Sequence, residues 1–177
     1  MIYFIRHGQT DWNKAGRLQG RTNNPLNETG IKQVTNTRES LEKLGVKFDL
    51  CFSSPLVRAV QTAKGVYDGE VFLDNRLLER DFGDAEGATG TWAQYMDFYT
   101  PPNDRKTYNS ESVEEFQARI YSFYEEIKKK HADRTVLVVA HGGVAFISRG
   151  YFKKDFNGDH SHFPDMQNGE ILIFDTV

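Results

Sequence analysis

Cysteine and long apolar runs are both scarce in this sequence. The one cysteine in 177 residues, Cys51, has no partner in the chain for a disulfide bond, and its apolar neighbours predict a buried thiol. The longest apolar runs are of about five residues, against the roughly 20 that a membrane-spanning helix needs. No signal peptide is visible, because the first hydrophobic stretch ends at Ile5. We therefore expect a cytoplasmic protein without a membrane partner.

A strong excess of charge of either sign is also absent. The chain carries 22 Lys and Arg against 25 Asp and Glu, a net charge of -3, which does not favour nucleic acid or a membrane surface as a partner. Residues 1–38 nevertheless hold more cations than acids, since Asp11 and Glu28 are the acids there. The cations are Arg6, Lys14, Arg17, Arg21, Lys32 and Arg38. This local positive charge favours a small anionic ligand.

Repeats, low-complexity tracts and linker-like stretches are absent as well, and the length suits one domain spanning 1–177. Predicted strands cover 1–5, 49–53, 70–74, 135–140 and 170–176, and predicted helices cover 27–45, 54–67, 112–131 and 142–152. A loop-rich region reaches residue 111, with a short helix predicted at 91–99. The alternation predicts an α/β fold, a three-layer sandwich with a mostly parallel central sheet flanked by helices.

The predicted helix at 27–45 has a signal at each end. Asn27 is a candidate N-cap, and Gly45 is a candidate stop. A shared face of apolar residues is expected to pack on the core. That face consists of Ile31, Val34, Leu41 and Leu44.

Two further helices begin at recognisable caps. Ser54 at the N-cap with Pro55 at the first helical position predicts the start of the helix at 54–67. Ser112 and Glu115 form a capping-box pattern at the start of the helix at 112–131.

Charged and polar side chains follow four of the predicted strands. They are Arg6 and His7 after the first strand, Ser53 and Ser54 with Arg58 one helical turn further after the second, Glu79 a few residues after the third, and His141, which precedes Gly142 and Gly143, after the fourth. In parallel α/β sheets, ligands bind at the carboxyl ends of the strands. Two arginines, two histidines and a glutamate are therefore expected to converge at one edge of the sheet.

The same residues lie in segments that resemble those of a known family. The segments are RHGQTDWN (6–13), RLQG (17–20), FSSPLVRAVQTA (52–63), LLERDFGDAEG (77–87) and VVAHGG (138–143), and NGEILIF (168–174) resembles the last strand. Their order and rough spacing are similar to those of the histidine phosphatase superfamily, the phosphoglycerate-mutase-like proteins. Arg-His-Gly alone is an unspecific motif, whereas five segments in order are highly specific.

The resemblance implies a role for each matched residue. His7 would attack phosphorus as a neutral imidazole and become a phosphohistidine, with its pKa lowered by the neighbouring arginines. Arg6, Arg58 and His141 would hold the oxygens of the transferring phosphoryl group. Positions lining the same pocket in the family match Asn13, Gln19, Gly20 and Gly142. No metal and no cofactor are implied, because the arginines supply the positive charge.

The resemblance assigns the general acid to Glu79. That role requires a carboxyl group whose pKa is raised toward neutrality, so that it can protonate the leaving alkoxide and then accept a proton from water. Asp81 and Glu86 are rival acids in the same charged stretch.

Two other groups of residues leave alternatives open. His160 and His162, with Asp159 and Asp165 nearby, form either a metal cluster or a polar surface loop, and the loop is favoured because no matched segment includes them. Residues 80–111 are predicted to cover the substrate. Some of its side chains either contact the substrate or simply pack against the fold. They are Trp92, Tyr95, Met96, Tyr99, Arg105 and Lys106.

The family contains both phosphatases and mutases. Mutases resemble one another in a longer insert after the general acid, whereas 32 residues separate Glu79 from Ser112 here. We therefore predict a phosphatase acting on a small phosphorylated metabolite. A mutase is the first alternative, and a non-catalytic sensor of a phosphorylated ligand is the second.

Overall fold

Helices cover both faces of a sheet in the structure, which is a computed structural model describing residues 1–90, 99, 107–153 and 166–175. The strands are β1 (Ile2–Arg6), β2 (Leu50–Ser53), β3 (Val71–Leu73), β4 (Val136–Ala140) and β5 (Ile171–Phe174). The helices are α1 (Asp11–Lys14), α2 (Glu28–Leu44), α3 (Val57–Val66), α4 (Val113–Lys130) and α5 (Gly142–Lys153). Short 3-10 turns lie at Asn75–Leu77, Gly83–Ala85 and Thr107–Asn109.

The strand order in the sheet is β3-β2-β4-β1-β5. The first four strands in that order run parallel, and β5 runs antiparallel to β1. Strand β4 lies between β1 and β2, and all of its residues are buried, as expected for a continuous β-branched run covered on both faces. The predicted α/β sandwich with a mostly parallel sheet is confirmed.

Successive residues of the central strands face opposite sides of the sheet, so each side has its own core. Phe4 and Val138 pack with α4 and α5 on one side. Ile5 and Val139 pack with α2 and α3 on the other side. The two cores place the carboxyl ends of β1, β2 and β4 at the same edge of a buried sheet.

Helix α2 has the predicted ends but a different buried face. The Asn27 side chain accepts a hydrogen bond from the Gly30 N–H, and Gly45 ends the helix with a φ of 65°. Ile31 and Leu44 are 57% and 54% exposed, so their assignment to the core face is wrong. The reason is Gly30, where an added Cβ would lie 2.1 Å from the carbonyl oxygen of Gln9. This close approach turns the helix so that Gly30, rather than Ile31, faces the chain after β1.

Helix α4 begins as its sequence predicts. The Ser112 Oγ accepts from the Glu115 N–H at 3.1 Å, and the Glu115 carboxylate accepts from the Ser112 N–H at 3.1 Å. This reciprocal capping box fixes the start of the helix beside the segment that carries Glu79.

Helix α3 begins later than predicted. Its N-cap is Leu56, which makes no side-chain capping bond. The predicted N-cap at Ser54 and first helical position at Pro55 are therefore wrong. The Ser54 hydroxyl accepts from the Leu56 N–H at 3.4 Å, but its shorter contact, at 2.7 Å, is with Nε2 of the distant His141.

Two expectations from composition can be compared with the structure. Cys51 is fully buried, and burial raises the pKa of its thiol to about 12, which makes it an inert core residue. Within the described ranges, no helix has the length and apolarity needed to cross a membrane.

Candidate active site

The carboxyl ends of β1, β2 and β4 border a cavity of about 260 Å³. Eight of the sequence-predicted site residues line it: Arg6, His7, Asn13, Gln19, Gly20, Arg58, Glu79 and Gly142. The ninth, His141, is fully buried behind the cavity, with its ring centroid 5.1 Å from that of His7. The structure thus brings these nine residues together.

The two ring nitrogens of His7 have partners that fix its proton. Nδ1 lies 2.7 Å from the Gly8 carbonyl oxygen, which can only accept, so Nδ1 carries the hydrogen. Arg58 donates its Nε–H to Nε2 at 3.2 Å, so Nε2 carries the lone pair. Both contacts require the same neutral tautomer. The nitrogen with the free electron pair is the one that faces the arginine.

The surroundings of His7 also disfavour its cationic form. Burial lowers the pKa of His7 well below its usual 6.5, and the positive charges of Arg58 and Arg6 lower it further. The bond to the Gly8 carbonyl acts in the opposite direction but is the smallest contribution. His7 is therefore a neutral imidazole, with the lone pair on Nε2, in a positively charged pocket.

The guanidinium of Arg58 is held by a loop as well as by His7. Nη1 donates to the Thr22 carbonyl oxygen and Nη2 to the Gly20 carbonyl oxygen, both at 2.7 Å. The pKa of Arg58 falls to about 10, chiefly through burial, so the group remains cationic at neutral pH. These contacts give a long, flexible side chain one fixed position.

Arg6 is a second cation that acts on His7. Its Nη1 donates to the Met166 carbonyl oxygen. An added Cβ on Gly142 would lie 3.4 Å from the guanidinium carbon, so the cation packs directly over the first residue of α5. Arg6 and Arg58 therefore place two cations beside one imidazole.

His141 has one satisfied and one unsatisfied ring nitrogen. Nε2 bonds the Ser54 hydroxyl, whereas Nδ1 is buried without a hydrogen-bond partner among the described residues. Burial lowers the pKa of His141 well below 6.5, with further lowering by Arg58 and by His7. A buried polar atom without a partner is rare, and beside a ligand cavity it indicates a group that a ligand satisfies.

The Glu79 carboxyl group is clamped by backbone N–H groups. Oε1 accepts from Arg80 N–H at 2.9 Å, and Oε2 accepts from Gly143 N–H at 3.0 Å. Burial raises the pKa of Glu79, although these two bonds and the charges of Arg58 and Arg6 act against the rise. An added Cβ on Gly143 would lie 2.3 Å from Oε1, so only glycine permits this approach.

The rival acids have other contacts. The Glu86 carboxylate accepts from Arg21 N–H, from Thr22 N–H and from the Thr22 hydroxyl. Asp81 accepts from Gly83 N–H. Neither acid lines the cavity, whereas Glu79 does.

Asn13 and Gln19 are fixed through a shared threonine. Thr10 caps α1, since its Oγ1 accepts from Asn13 N–H at 3.1 Å and its own N–H donates to Asn13 Oδ1 at 3.1 Å. The Thr10 hydroxyl lies 2.9 Å from Gln19 Oε1. The two amide side chains therefore reach the cavity from a rigid turn.

One wall of the cavity is apolar. Leu18, Phe82, Tyr99 and Phe146 line it, with the Tyr99 ring 5.5 Å from Phe146 and 6.3 Å from Phe82. Arg17 also lines the cavity and is exposed, and its guanidinium lies 5.8 Å from the Trp12 ring centre. Among the described residues, no carboxylate forms an ion pair with Arg17.

Sequence reasoning missed two residues that hold the backbone at His7. Thr62 accepts from Gly8 N–H at 3.1 Å, and Asn168 donates to the His7 carbonyl oxygen at 2.9 Å. Thr62 lies one turn after Arg58 on α3, and this spacing places the two side chains on the same face of the helix, which could have indicated a role for Thr62 near His7. Asn168 lies 161 residues from His7, and nothing local to it indicated the contact.

Several predicted contacts lie outside the described residues. These are His160 and His162 with their neighbouring acids, and Trp92, Tyr95, Met96, Arg105 and Lys106 of the predicted covering segment. The predicted helix at 91–99 falls there too, except for Tyr99. The part of the chain that is described contains no group of three or more His, Cys, Asp or Glu placed to hold a metal ion.

Chemically, the cavity combines a nitrogen nucleophile, fixed positive charge and a proton donor. Such an arrangement can bind a tetrahedral dianion, accept its central atom on an imidazole and protonate the group that leaves.

Comparison with known proteins gives relatives of matching chemistry. The chain is 35% identical over 80% of its length to a putative phosphoserine phosphatase 2 of Hydrogenobacter thermophilus, covering 73% of that protein. It is 37% identical over 81% of its length to a metal-independent phosphoserine phosphatase of Arabidopsis thaliana, covering 64% of it. It is also 32% identical over 80% of its length to a 2,3-bisphosphoglycerate-dependent phosphoglycerate mutase of Sinorhizobium fredii, covering 74% of it.

The solved structures that this chain resembles also include both a phosphatase and a mutase. A mycobacterial glucosyl-3-phosphoglycerate phosphatase in complex with VO3 superposes with a TM-score of 0.80 at 29% identity, over 96% of this chain and 90% of that one. A phosphoglycerate mutase of Thermus thermophilus superposes with a TM-score of 0.72 at 27% identity, over the same shares. The sequence profile of the histidine phosphatase superfamily (branch 1) matches residues 2–176. The chain therefore belongs to the histidine phosphatase superfamily, branch 1, and is a phosphomonoester-hydrolysing enzyme of that family.

Proposed function

We propose that this chain transfers the phosphoryl group of a small phosphate ester first to Nε2 of His7 and then to water, without a metal ion. The observation that carries the proposal is the His7 tautomer. Two fixed partners leave the lone pair on Nε2, and burial and two arginines keep the imidazole neutral. A neutral imidazole is what a nitrogen nucleophile must be.

Three groups would bind the phosphoryl oxygens. Arg6 and Arg58 line the cavity with His7, and their charges act on its imidazole. The buried Nδ1 of His141 lacks a partner among the described residues, and a phosphoryl oxygen would satisfy it. For that contact Nδ1 carries the hydrogen, and Nε2 accepts from the Ser54 hydroxyl. Charge of this kind, fixed before the reaction, stabilises the transferring group without reorganisation.

The proton balance of the reaction assigns Glu79 two steps. In the first, a bond forms between His7 Nε2 and phosphorus, the bond from phosphorus to the ester oxygen breaks, and that oxygen takes the proton of Glu79. In the second, water attacks phosphorus and gives a proton to the Glu79 carboxylate. The bond from phosphorus to nitrogen breaks, and inorganic phosphate and neutral His7 are released. The raised pKa of Glu79 suits both directions of transfer.

The shape of the cavity supports a compact substrate. A volume of about 260 Å³ lies below the usual range for drug-sized ligands, which begins at roughly 300 Å³. An ester's leaving group would contact the apolar wall, and Arg17, which also lines the cavity, would add a cation. A small phosphorylated metabolite whose leaving group carries its own negative charge fits these features best.

The central test measures turnover of p-nitrophenyl phosphate with excess EDTA. We expect activity that survives chelation and is lost in His7→Ala, with His131→Ala at the end of α4 as the matched control. Rapid quenching with ³²P-labelled substrate should label wild type with an acid-labile, base-stable phosphate. Loss of activity on chelation would contradict metal independence. Phosphate binding without turnover of any ester would favour a sensor.

A mutase is the second candidate, because mutases are among the relatives at about a third identity. The test supplies 3-phosphoglycerate with a catalytic amount of 2,3-bisphosphoglycerate. We expect release of inorganic phosphate. Fast formation of 2-phosphoglycerate without phosphate release would assign the chain to the mutases.

A further inference from the structure

We propose that Arg119, on helix α4 outside the cavity, is a positioning residue that holds the Glu79 carboxyl group in place for proton transfer. The proposal rests on the proposed function, because it requires Glu79 to act as the general acid. Arg119 neither lines the cavity nor contacts the carboxyl group itself. Its effect must therefore pass through the backbone that carries Glu79.

The guanidinium of Arg119 binds three carbonyl oxygens in the segment that leads to Glu79. Nη1 donates to the carbonyl oxygens of Arg76 at 2.6 Å and Leu78 at 2.7 Å. Nη2 donates to the Glu79 carbonyl oxygen at 3.0 Å. This segment follows the edge strand β3 and lacks strand pairing of its own, so side-chain contacts must fix its path.

Glu111 fixes Arg119 in turn. The Arg119 Nε donates to Glu111 Oε1 at 2.7 Å, and Nη2 donates to Oε2 at 2.9 Å. With the three carbonyl contacts, these two bonds account for all five N–H groups of a guanidinium. Both side chains are largely buried, at 17% and 11% exposure, so the pair is geometrically defined rather than a loose surface contact.

The contacts of Glu111 extend to the residues just after Glu79. Its carbonyl oxygen accepts from Arg80 Nε at 2.8 Å, and its N–H donates to the Asp81 carbonyl oxygen at 2.9 Å. The Arg119 and Glu111 pair therefore holds the chain on both sides of the peptide between Glu79 and Arg80.

That peptide determines where the carboxyl group lies. The Arg80 N–H donates to Glu79 Oε1 at 2.9 Å, while Gly143 N–H binds Oε2 from the opposite side. If the carbonyl of Glu79 loses its contact with Arg119, the peptide can rotate and carry the Arg80 N–H away. The carboxyl group would then lose one of the two donors that aim it into the cavity.

The test compares two phosphate esters whose leaving groups differ in their need for a proton from the general acid. The p-nitrophenolate anion is a weak base and leaves without protonation, whereas the alkoxide of glycerol 2-phosphate is a strong base and needs a proton from Glu79. In Arg119→Lys and Arg119→Ala, we expect kcat/KM for glycerol 2-phosphate to fall about 10²-fold, the effect typical of a displacement of about 1 Å at a catalytic group. For p-nitrophenyl phosphate we expect a change of less than about threefold. Turnover of the nitrophenyl ester also shows that the variant is folded.

Arg76→Ala is the matched control. Arg76 ties the same helix to the same segment, through ion pairs with Asp74 and Glu126, but does not contact the peptide after Glu79. We expect it to lower the free energy of unfolding and to affect both esters equally.

Glu79→Gln separates the two ways in which the idea can fail. If Glu79→Gln selectively loses the alkyl ester while Arg119→Lys loses both esters equally, the general acid stands and Arg119 is only structural. If Glu79→Gln itself treats both esters alike, the general-acid role fails and the role of Arg119 fails with it.

Discussion

Arg58 donates its Nε–H to the Nε2 of His7 across 3.2 Å, and both residues line the cavity. An arginine can only donate, so this contact keeps the histidine neutral and marks the nitrogen with the free electron pair. The same bond also occupies that electron pair in the unliganded enzyme. We expect the oxygens of an entering phosphoryl group to replace Nε2 as the acceptor, which would release the lone pair only when substrate is bound.

Replacement of Arg58 tests this relationship. Lysine cannot reach His7 and the carbonyl oxygens of Gly20 and Thr22 at once, so we expect Arg58→Lys to lower kcat by about 10²- to 10³-fold, the loss typical of one transition-state donor. In Arg58→Met the pKa of His7 should rise because a neighbouring cation is lost, which moves the acid limb of the rate profile to higher pH. Steady-state kinetics across pH measure both effects. Arg38→Lys is the control, because Arg38 is a half-buried arginine of α2 that pairs with Glu42 and Asp68 and does not line the cavity. An unchanged acid limb in Arg58→Met would refute the coupling.

The pH dependence of kcat/KM follows from two opposite shifts. The pKa of His7 is lowered well below 6.5, so activity should persist on the acid side until His7 gains a proton. The pKa of Glu79 is raised, so activity should fall on the alkaline side as Glu79 loses its proton. We expect a bell-shaped profile whose alkaline limb disappears in Glu79→Gln. An alkaline limb that survives this substitution would assign the proton donor to another group.

Ser54 should affect both stability and catalysis through His141. Ser54→Ala removes the partner of a buried ring nitrogen, which should cost about 1–3 kcal/mol of unfolding free energy. The freed imidazole should also bind phosphate and vanadate more weakly. Urea unfolding and inhibition constants measure the two effects. Ser40→Ala is the control, because Ser40 is exposed and its hydroxyl donates to the Asn36 carbonyl oxygen of its own helix. Unchanged vanadate inhibition in Ser54→Ala would argue against His141 as a phosphoryl ligand.

Arg17 is expected to discriminate among leaving groups. Arg17 lines the cavity and has no ion-pair partner among the described residues, so it is available to a charged leaving group. We expect Arg17→Leu to raise KM about tenfold for phosphoserine or 3-phosphoglycerate. A tenfold change corresponds to the loss of a contact worth about 1.4 kcal/mol. KM for phenyl phosphate, whose leaving group is uncharged, should change little. Arg134→Leu is the control, since Arg134 pairs with Asp49 and does not line the cavity. An equal change in KM for charged and uncharged esters would exclude this role.

Local signals in the sequence were enough for most of the fold. The strands, the capping box at Ser112 and the stop at Gly45 all depend on neighbouring residues, and each was predicted to within a few positions. The prediction failed where a distant group competed. The sequence around Ser54 is typical of a helix N-cap, but the helix has its N-cap at Leu56, and the Ser54 hydroxyl makes its shorter contact with the distant His141 imidazole. Ile31 fits the apolar period of α2, but the contact of Gly30 with Gln9 sets the rotation of the helix.

The sequence by itself determined which residue types follow each strand, because hydrophobic periodicity sets where strands end and parallel strands end at a common edge. That was sufficient to nominate His7, Arg58, Glu79 and His141. Only the tertiary structure decided which nitrogen of His7 carries the lone pair and why Glu79, rather than Glu86, faces the cavity. It also showed that Arg119 holds the segment before Glu79. Such properties depend on hydrogen bonds between residues tens of positions apart, and no local pattern encodes those.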